Sequence, residues 1–321
     1  MEHSRDKPPA KPPESASPDR HQQRRQWAAR PFRSREERRT AHISFFAGVG
    51  PAKPVGAEPN RHQPCRTLWV SHAVPWSAQD ASRYELAVRD SHADSYDVEY
   101  ATLHGPWFAR LETAVLLDNL DLRPSDVLVD VGCGTGRITT LLATRCARVI
   151  AVDRSQRSLE ILESRIEERG LRNVTTVLAD ASQSLPTDII ATRVVSVQLF
   201  QHVPSSEGRA KTMKNIAQVL KPGGRAIVAN EMYGLSRRVR GAPQELDGPG
   251  ILYFHTFTPR ELVDLVQGAG LIPLRIRGCG IFYWTRYVGA PRALVKLDRW
   301  ESNLPGASWF AKFGAIVARN C

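Results

Sequence analysis

No run of about 18 apolar residues occurs in this chain, so no membrane-spanning helix is expected. The N-terminus lacks the apolar core of a secretory signal. It is rich in arginine but also carries acids and many prolines, which suits a mitochondrial transit peptide poorly. Cysteine is sparse and odd in number: Cys65, Cys133, Cys146, Cys279 and Cys321. No two are spaced C-x-x-C, which argues against a disulfide framework or a zinc site. The expectation is a reducing, cytoplasmic setting and no metal. Methionine is nearly missing, with only Met1, Met213 and Met232.

Charge is abundant but uneven. The formal net charge of +11 invites a nucleic-acid or membrane reading. Residues 1–66 hold 14 Lys and Arg against 7 Asp and Glu, and the remainder holds 30 against 26. Most of the excess therefore lies in the first fifth of the chain. Residues 1–75 also contain 11 of the 22 prolines. With few apolar residues and no period, 1–76 reads as a disordered basic tail, and a solvated extension is favoured over an arm for an acidic partner. The short apolar run His42–Gly50 is closed off by PAKPVGAEP.

The texture changes near Ser77. Leu111, Val115, Leu116 and Leu120 recur at helical spacing, and Pro124-Ser125-Asp126 is a turn. VLVDVG follows as a buried strand and RITTLLATR reads as a helix. Strands at 148–153, 174–180, 193–200 and 225–232 then alternate with helices at 158–170 and 208–220. Alternation at this spacing means βαβ units and a mostly parallel sheet. Thr258-Pro259-Arg260-Glu261 is a capping-box helix start, and LIPLRIRG and FGAIVARN supply two late strands.

Gly132, Gly134 and Gly136 stand at every second position between strand and helix. Missing side chains let a ligand lie on the backbone, and a helix N-terminus presents N–H groups to it. The dinucleotide fingerprint needs its third glycine three residues after the second. Here it comes after two, and Arg137 takes the dinucleotide position. An oxidoreductase is disfavoured on that spacing. An acid, Asp130, precedes the first glycine by two.

D-x-G-x-G-x-G after a strand resembles the first motif of the class I S-adenosylmethionine-dependent methyltransferases, and the resemblance runs in order over about 95–319. It implies a Rossmann-like sheet of seven strands with helices on both faces and a helical N-terminal cap. It implies S-adenosyl-L-methionine at Asp130, Gly132, Cys133, Gly134 and Gly136. Asp153 ends the second strand and suits a ribose, since a carboxylate accepts from two hydroxyls; Arg154 follows it. Asp180, with Ala181 after it, corresponds to the acid that meets the adenine amino group. VVSVQLFQHVPS, containing Gln198, corresponds to the motif under the methionine part. LKPGGRAIVAN and TPRELVDLVQGAGL match the fifth strand and a late helix. Arg193 departs from the family, where many members begin the fourth strand with Asp, and 181–193 is short.

The resulting division is a cap at 77–123, a cofactor-binding core at 124–232, a lid at 233–257 and a C-terminal part at 258–321. A base is needed only for a hydroxyl or an acidic carbon, and His202 and His255 are the candidates. For His202, local packing and hydrogen bonding is the favoured alternative. Asn230 and Glu231 are further pocket candidates. Tyr96, Tyr100, His104 and Trp107, with Tyr233, Tyr253 and Phe254, suit lids over a small organic acceptor. Arg237, Arg238 and Arg240 fit an acidic group on it or a solvated basic face. A nucleic-acid methyltransferase is disfavoured: QLFQHVP lacks the (Asp/Asn)-Pro-Pro-aromatic sequence, and Pro64-Cys65 is far upstream. A silent cofactor-binding scaffold is the non-enzyme alternative.

Overall fold

The computed structural model describes residues 76–281, 283 and 292–321. The readings of the tail at 1–75 lie outside the described residues. Nine strands and eight α-helices are described. The strands are β1 (Val127–Val131), β2 (Arg148–Asp153), β3 (Val174–Leu178), β4 (Ala191–Val197), β5 (Leu220–Glu231), β6 (Glu245–Leu246), β7 (Phe254–His255), β8 (Ile272–Cys279) and β9 (Phe313–Arg319). The helices are α1 (Ala78–His92), α2 (Tyr96–Leu120), α3 (Thr139–Leu142), α4 (Gln156–Glu168), α5 (Ser206–Val219), α6 (Leu235–Val239), α7 (Pro259–Gly268) and α8 (Arg292–Glu301).

Seven strands form one sheet in the order β3-β2-β1-β4-β5-β9-β8, and β6 and β7 form a separate ribbon. All pairs among β1–β5 are parallel, while β9 runs antiparallel to β5 and β8. β1 lies inside the sheet between β2 and β4, and both its faces are covered. Val129, Val131, Val152, Val194, Val228 and Ile316 meet Met213 and Ile216 of α5 and Leu262 and Val266 of α7 on one face. Leu128, Val149, Val195, Ile227 and Val317 meet Leu116 and Leu120 of α2 on the other. The chain moves from β1 outward to β2 and β3, then crosses back to β4 on the other side of β1. Strand order therefore reverses between β1 and β4, where open α/β sheets bind ligands beyond the strand C-termini.

Three local readings shift. The helix-like stretch after Ser77 divides in two, because the Ser95 amide bonds the His92 carbonyl at 3.1 Å and turns the chain. The helix at RITTLLATR shrinks to α3 and a 3₁₀ turn. Thr139 and Thr140 spend their hydroxyls on the Asp130 carboxylate and the Gly136 carbonyl, fastening the loop rather than extending the helix. The strand at 193–200 ends at Val197, where Gln198 takes a left-handed φ of 59°. At Thr258 the capping box forms as read, with the Glu261 amide donating to Thr258 Oγ1 at 3.2 Å and Glu261 Oε2 accepting from the Thr258 amide at 2.7 Å.

Arg193, the departure from the family pattern, closes the end of α2. That helix stops at Asp121 in the left-handed region, φ 48°. Its last carbonyls need donors. Arg193 Nε donates to the Leu120 carbonyl at 3.1 Å and Nη2 to the Asp121 carbonyl at 2.9 Å, with the Asp126 carboxylate 3.6 Å from Nη1. The side chain is buried. Arg193→Ala leaves these acceptors unpaired and is expected to destabilise the fold by about 3 kcal/mol in urea unfolding; a change below about 0.5 kcal/mol refutes this role.

Candidate functional site

The loop after β1 continues the strand's hydrogen bonding for two residues and then turns away. The Gly132 and Cys133 amides both donate to the Val152 carbonyl, at 2.8 and 3.1 Å. The Gly134 amide donates to Asp153 Oδ2 at 2.8 Å. All three glycines have positive φ: 75° at Gly132, 53° at Gly134 and 84° at Gly136. Their surroundings differ. A Cβ on Gly132 would lie 2.9 Å from Leu199 Cβ, and one on Gly136 would lie 2.2 Å from Leu162 Cδ1. At Gly134 nothing lies within 4 Å. Gly132 and Gly136 are thus packing positions, and Gly134 is where the backbone is bare.

Asp153 ends β2 beside that bare backbone. The structure half-buries it and engages both its oxygens. Oδ1 accepts from the Ser155 amide at 2.9 Å, and Oδ2 accepts from Gly134. Burial lifts its carboxyl above the ordinary range, against the pull of those two amides. Each oxygen keeps a lone pair for a further donor. Asp130 is buried and accepts from Thr139 Oγ1 at 2.6 Å, so it braces the loop from behind. Burial raises its carboxyl to about 6, with Thr139 opposing and Asp153 adding to the rise. Asp180 Oδ1 accepts from the amide and hydroxyl of Ser182, at 2.8 and 2.7 Å, and the Ala181 carbonyl accepts from Asn215. Cys133 is buried, and burial pushes its thiol well up.

Gln198 belongs to a cluster the sequence did not reveal. Its Nε2 donates to Glu112 Oε1 at 2.9 Å and to Tyr100 Oη at 3.1 Å. Tyr100 and Arg137 donate to the other oxygen of Glu112, at 3.0 and 2.7 Å. The Arg137 guanidinium lies 4.4 Å from the Tyr100 ring centre. Burial and then the Glu112 charge push the Tyr100 phenol far up, so it remains a donor. Arg154 does not stand free beside Asp153. Its Nη1 donates to Ser82 Oγ at 2.7 Å and Nη2 pairs with Glu85 of α1. Glu85 also accepts from Arg89 Nε at 2.7 Å. Burial acts to raise the Glu85 carboxyl, but Arg89 and Arg154 hold it at about 2.

The two histidines part company. His202 Nδ1 donates to the Tyr253 carbonyl at 3.1 Å, which leaves Nε2 as the acceptor. The Gln201 amide faces that nitrogen at 3.3 Å, its own oxygen being fixed by the Glu231 amide. Burial, then Arg89, holds the His202 imidazole down to about 3, so it is neutral near pH 7. Glu85 and Arg154 also act on it electrostatically, which puts it beside the cap. His255 lies elsewhere. Its nitrogens face Glu245 Oε2 at 3.3 Å and Glu261 Oε1 at 3.4 Å, tying the ribbon to α7. Burial raises the Glu261 carboxyl, but the bonds to His255 and Thr258 hold it at about 2. With both nitrogens turned to carboxylates, His255 is a fastening for the ribbon rather than a group facing the glycine loop.

Of the other candidates, Glu231 pairs with Lys312 and with Arg237 at 3.4 Å. Asn230 is fully buried, and its amide has no hydrogen-bond partner among the described residues. Tyr96, Tyr100, His104 and Phe108 stack at four-residue intervals along α2. The Trp107 side chain lies outside the described residues. Arg238 lies over the Tyr233 and Trp309 rings, and Arg240 bonds Ser236. Phe254 packs edge-on to His202.

Two measurements follow. Gly134→Ala keeps its space and meets only the left-handed strain of about 1–2 kcal/mol, so it is expected to fold. Gly136→Ala also drives a methyl into Leu162, so a clearly larger loss in urea unfolding is expected; equal losses refute the division of labour. For Asp130, the raised carboxyl makes the folded state bind more protons than the unfolded one between pH 4 and 6. Stability then falls as pH rises through that window, by on the order of 2–3 kcal/mol. Asp130→Asn is expected to flatten that part of the pH–stability curve, and an unchanged slope counts against it.

A family model described as a methyltransferase domain matches residues 128–224, from β1 into β5. The probable cobalt-precorrin-6B C(15)-methyltransferase (decarboxylating) of Methanothermobacter thermautotrophicus is 36% identical over 105 residues, 32% of this chain and 52% of that protein. The demethylmenaquinone methyltransferase of Symbiobacterium thermophilum is 28% identical over 194 residues, 59% of this chain and 72% of that one. The chain spans about half the length of the curated relatives it matches first, or less. An S-adenosylmethionine-dependent methyltransferase from Clostridium acetobutylicum superposes with a TM-score of 0.51 at 15% identity, covering 71% of this chain and 98% of its own, a likeness of fold. The glycine loop at the switch point, the acid at the end of β2, the strand order and the matched domain agree: this chain belongs to the class I S-adenosylmethionine-dependent methyltransferase family.

Proposed function

We propose that this protein transfers a methyl group from S-adenosylmethionine to a small organic acceptor. The observation that carries the reading is the bare backbone at Gly134, held to Asp153 where β1 and β2 end, beside the reversal of strand order between β1 and β4. The residues present fit the cofactor. Asp153 has lone pairs left for two ribose hydroxyls, Gly134 leaves room for close approach, and Asp180 ends the neighbouring edge of the site. Gln198, Glu112, Tyr100 and Arg137 offer both signs of charge where the methionine end is expected. When bound, the cofactor supplies an activated methyl on a sulfonium.

The chain's own work is then orientation and exclusion of water. Holding reactants in line is worth up to about 7–11 kcal/mol in favourable intramolecular models. Helix α1 reaches Arg154 and Ser155 beside Asp153, and Asp97 of α2 reaches Thr135 in the glycine loop. Trp76 Nε1 donates to Asp247 Oδ1 at 2.8 Å, and Tyr84 Oη donates to the Gly250 carbonyl at 3.3 Å, so the cap and the lid segment touch. His202 faces the cap with its Nε2 lone pair in reach of one amide donor, and it is the group that accepts a proton if the acceptor is a hydroxyl. The precorrin and demethylmenaquinone methyltransferases among the relatives support a small-molecule acceptor.

Mass spectrometry for +14 Da products over candidate acceptors tests the activity. Asp153→Ala is expected to weaken S-adenosylmethionine binding by about 1.5–3 kcal/mol in calorimetry, and unchanged affinity sinks the ribose assignment. His202→Ala is expected to lower kcat about 10²-fold with cofactor affinity nearly unchanged, the lower end for loss of a general base because so strongly neutral an imidazole is a weak one. His202→Gln does not restore the rate if the imidazole takes the proton. Recovery with glutamine makes His202 a positioning group for Tyr253.

A further inference from the structure

Helix α1 has little fully buried apolar surface, with Tyr84, Leu86 and Val88 only half-buried. Its two buried side chains are Ala81 and Glu85. The helix that follows is anchored differently. Phe108, Leu111 and Val115 of α2 lie in one apolar cluster, and Leu116 and Leu120 lie in another. The α1 attachment is polar. Across the seam the acids come from the cap and Arg154, Arg157 and Arg165 from the body, while Arg89 of α1 shares Glu85 with Arg154.

Glu85 pairs with Arg154, whose Nη2 also donates to the Ser82 carbonyl at 3.2 Å. Asp90 Oδ1 accepts from the Ser155 hydroxyl at 2.5 Å. Asp94 takes Arg157 Nη2 at 2.7 Å and Nε at 3.3 Å. At the start of α2, Asp97 pairs with Arg165 and accepts from Thr135 Oγ1 at 3.0 Å. Arg165 Nη1 donates to the Thr135 carbonyl at 2.7 Å. The body side of this seam is the rim of the candidate cofactor site. Thr135 lies inside the glycine loop, and Arg154 and Ser155 directly follow Asp153, which accepts from the Ser155 amide.

We infer that α1 is an ionic lid: the seam Glu85–Arg154, Asp90–Ser155, Asp94–Arg157 and Asp97–Arg165 sets how fast the cofactor enters and leaves. Arg154 is then a positioning residue that acts through the cap. The residence half of this inference rests on the cofactor reading, and the ionic attachment of the cap does not. Charges near the surface are screened by salt over about 8–10 Å at moderate ionic strength, whereas buried apolar contacts are not weakened that way. The members are unequal. Arg157 and Asp94 are exposed and contribute little alone. Glu85 and Arg154 are 5% and 20% exposed, so losing one leaves the other poorly solvated. The Arg299–Asp118 pair, at 2.6 and 2.7 Å, joins α8 to α2 outside the seam and serves as the control.

Hydrogen exchange on the full chain at about 0.05 and 0.5 M NaCl tests the attachment. Exchange within 78–92 is expected to quicken about fivefold or more in high salt while 148–153 stays unchanged. Stopped-flow release of S-adenosylhomocysteine tests the residence. Glu85→Gln is expected to speed release about tenfold and Arg157→Glu about threefold. Adding Asp94→Arg to Arg157→Glu restores the slower release, and Asp118→Asn leaves it unmoved. Equal exchange at both salt levels overturns the ionic cap. Release unmoved by both Glu85→Gln and Arg157→Glu, or not restored by the charge swap, overturns its control of residence. A chain that binds no S-adenosylhomocysteine overturns the residence half together with the cofactor reading, and the exchange measurement then decides the cap by itself.

Discussion

The hydrogen bond from the Gly134 amide to the Asp153 carboxylate is the contact on which the site depends. It joins the loop after β1 to the end of β2, one step past the last rung of their parallel ladder, Val131 with Val152. Two amides on the Val152 carbonyl prepare it, and left-handed glycines make the turn possible. With the loop held there, Gly136 lies against Leu162 of α4 and Gly132 against Leu199 beyond β4. Both flanking walls close and only the middle glycine stays bare. Asp130 completes the arrangement from inside by holding Thr139. Burial raises its carboxyl to about 6, which is a stability cost.

Around this loop the molecule is built in two styles. The body is apolar and continuous, two hydrophobic layers on one sheet. The cap's first helix is held to the body by polar and charged contacts. Apolar burial is indifferent to direction and gives permanence, while ion pairs at a rim are worth little singly and respond to salt. An element fastened by the second means is separable from one built by the first. In α1, Ala81 is the sole fully buried apolar side chain, while Tyr84, Leu86 and Val88 are half-buried.

The sequence made the body legible because its signals are local. Strand runs, the glycine triplet, the capping box at Thr258 and the strand-end acids each lie within a few residues. The charged partners were not legible because each joins distant segments. Glu112 meets Arg137 across 25 residues, and Glu85 meets Arg154 across 69. Arg193 was visible only as a departure. Its reason, the open carbonyls at the end of α2, lies 72 and 73 residues upstream. The short α3 was misread for another cause. RITTLLATR has a helix-like pattern, but its two threonines had oxygens to satisfy in the loop.

The histidines show how adjacent positions acquire different work. In the ribbon strand β7, successive side chains point to opposite sides. Phe254 turns to His202, and His255 turns to Glu245 and Glu261. The same segment thus presses on the candidate base with one residue and is anchored to α7 with the next. Anchoring fixes the Tyr253 carbonyl, that carbonyl fixes the His202 tautomer, and the tautomer leaves Nε2 as the acceptor. Through these contacts His255 bears on the placement of His202 by way of the backbone. A chain of this kind carries geometry and no proton, so a defect at His255 should blur the placement of His202 without altering what its imidazole can do.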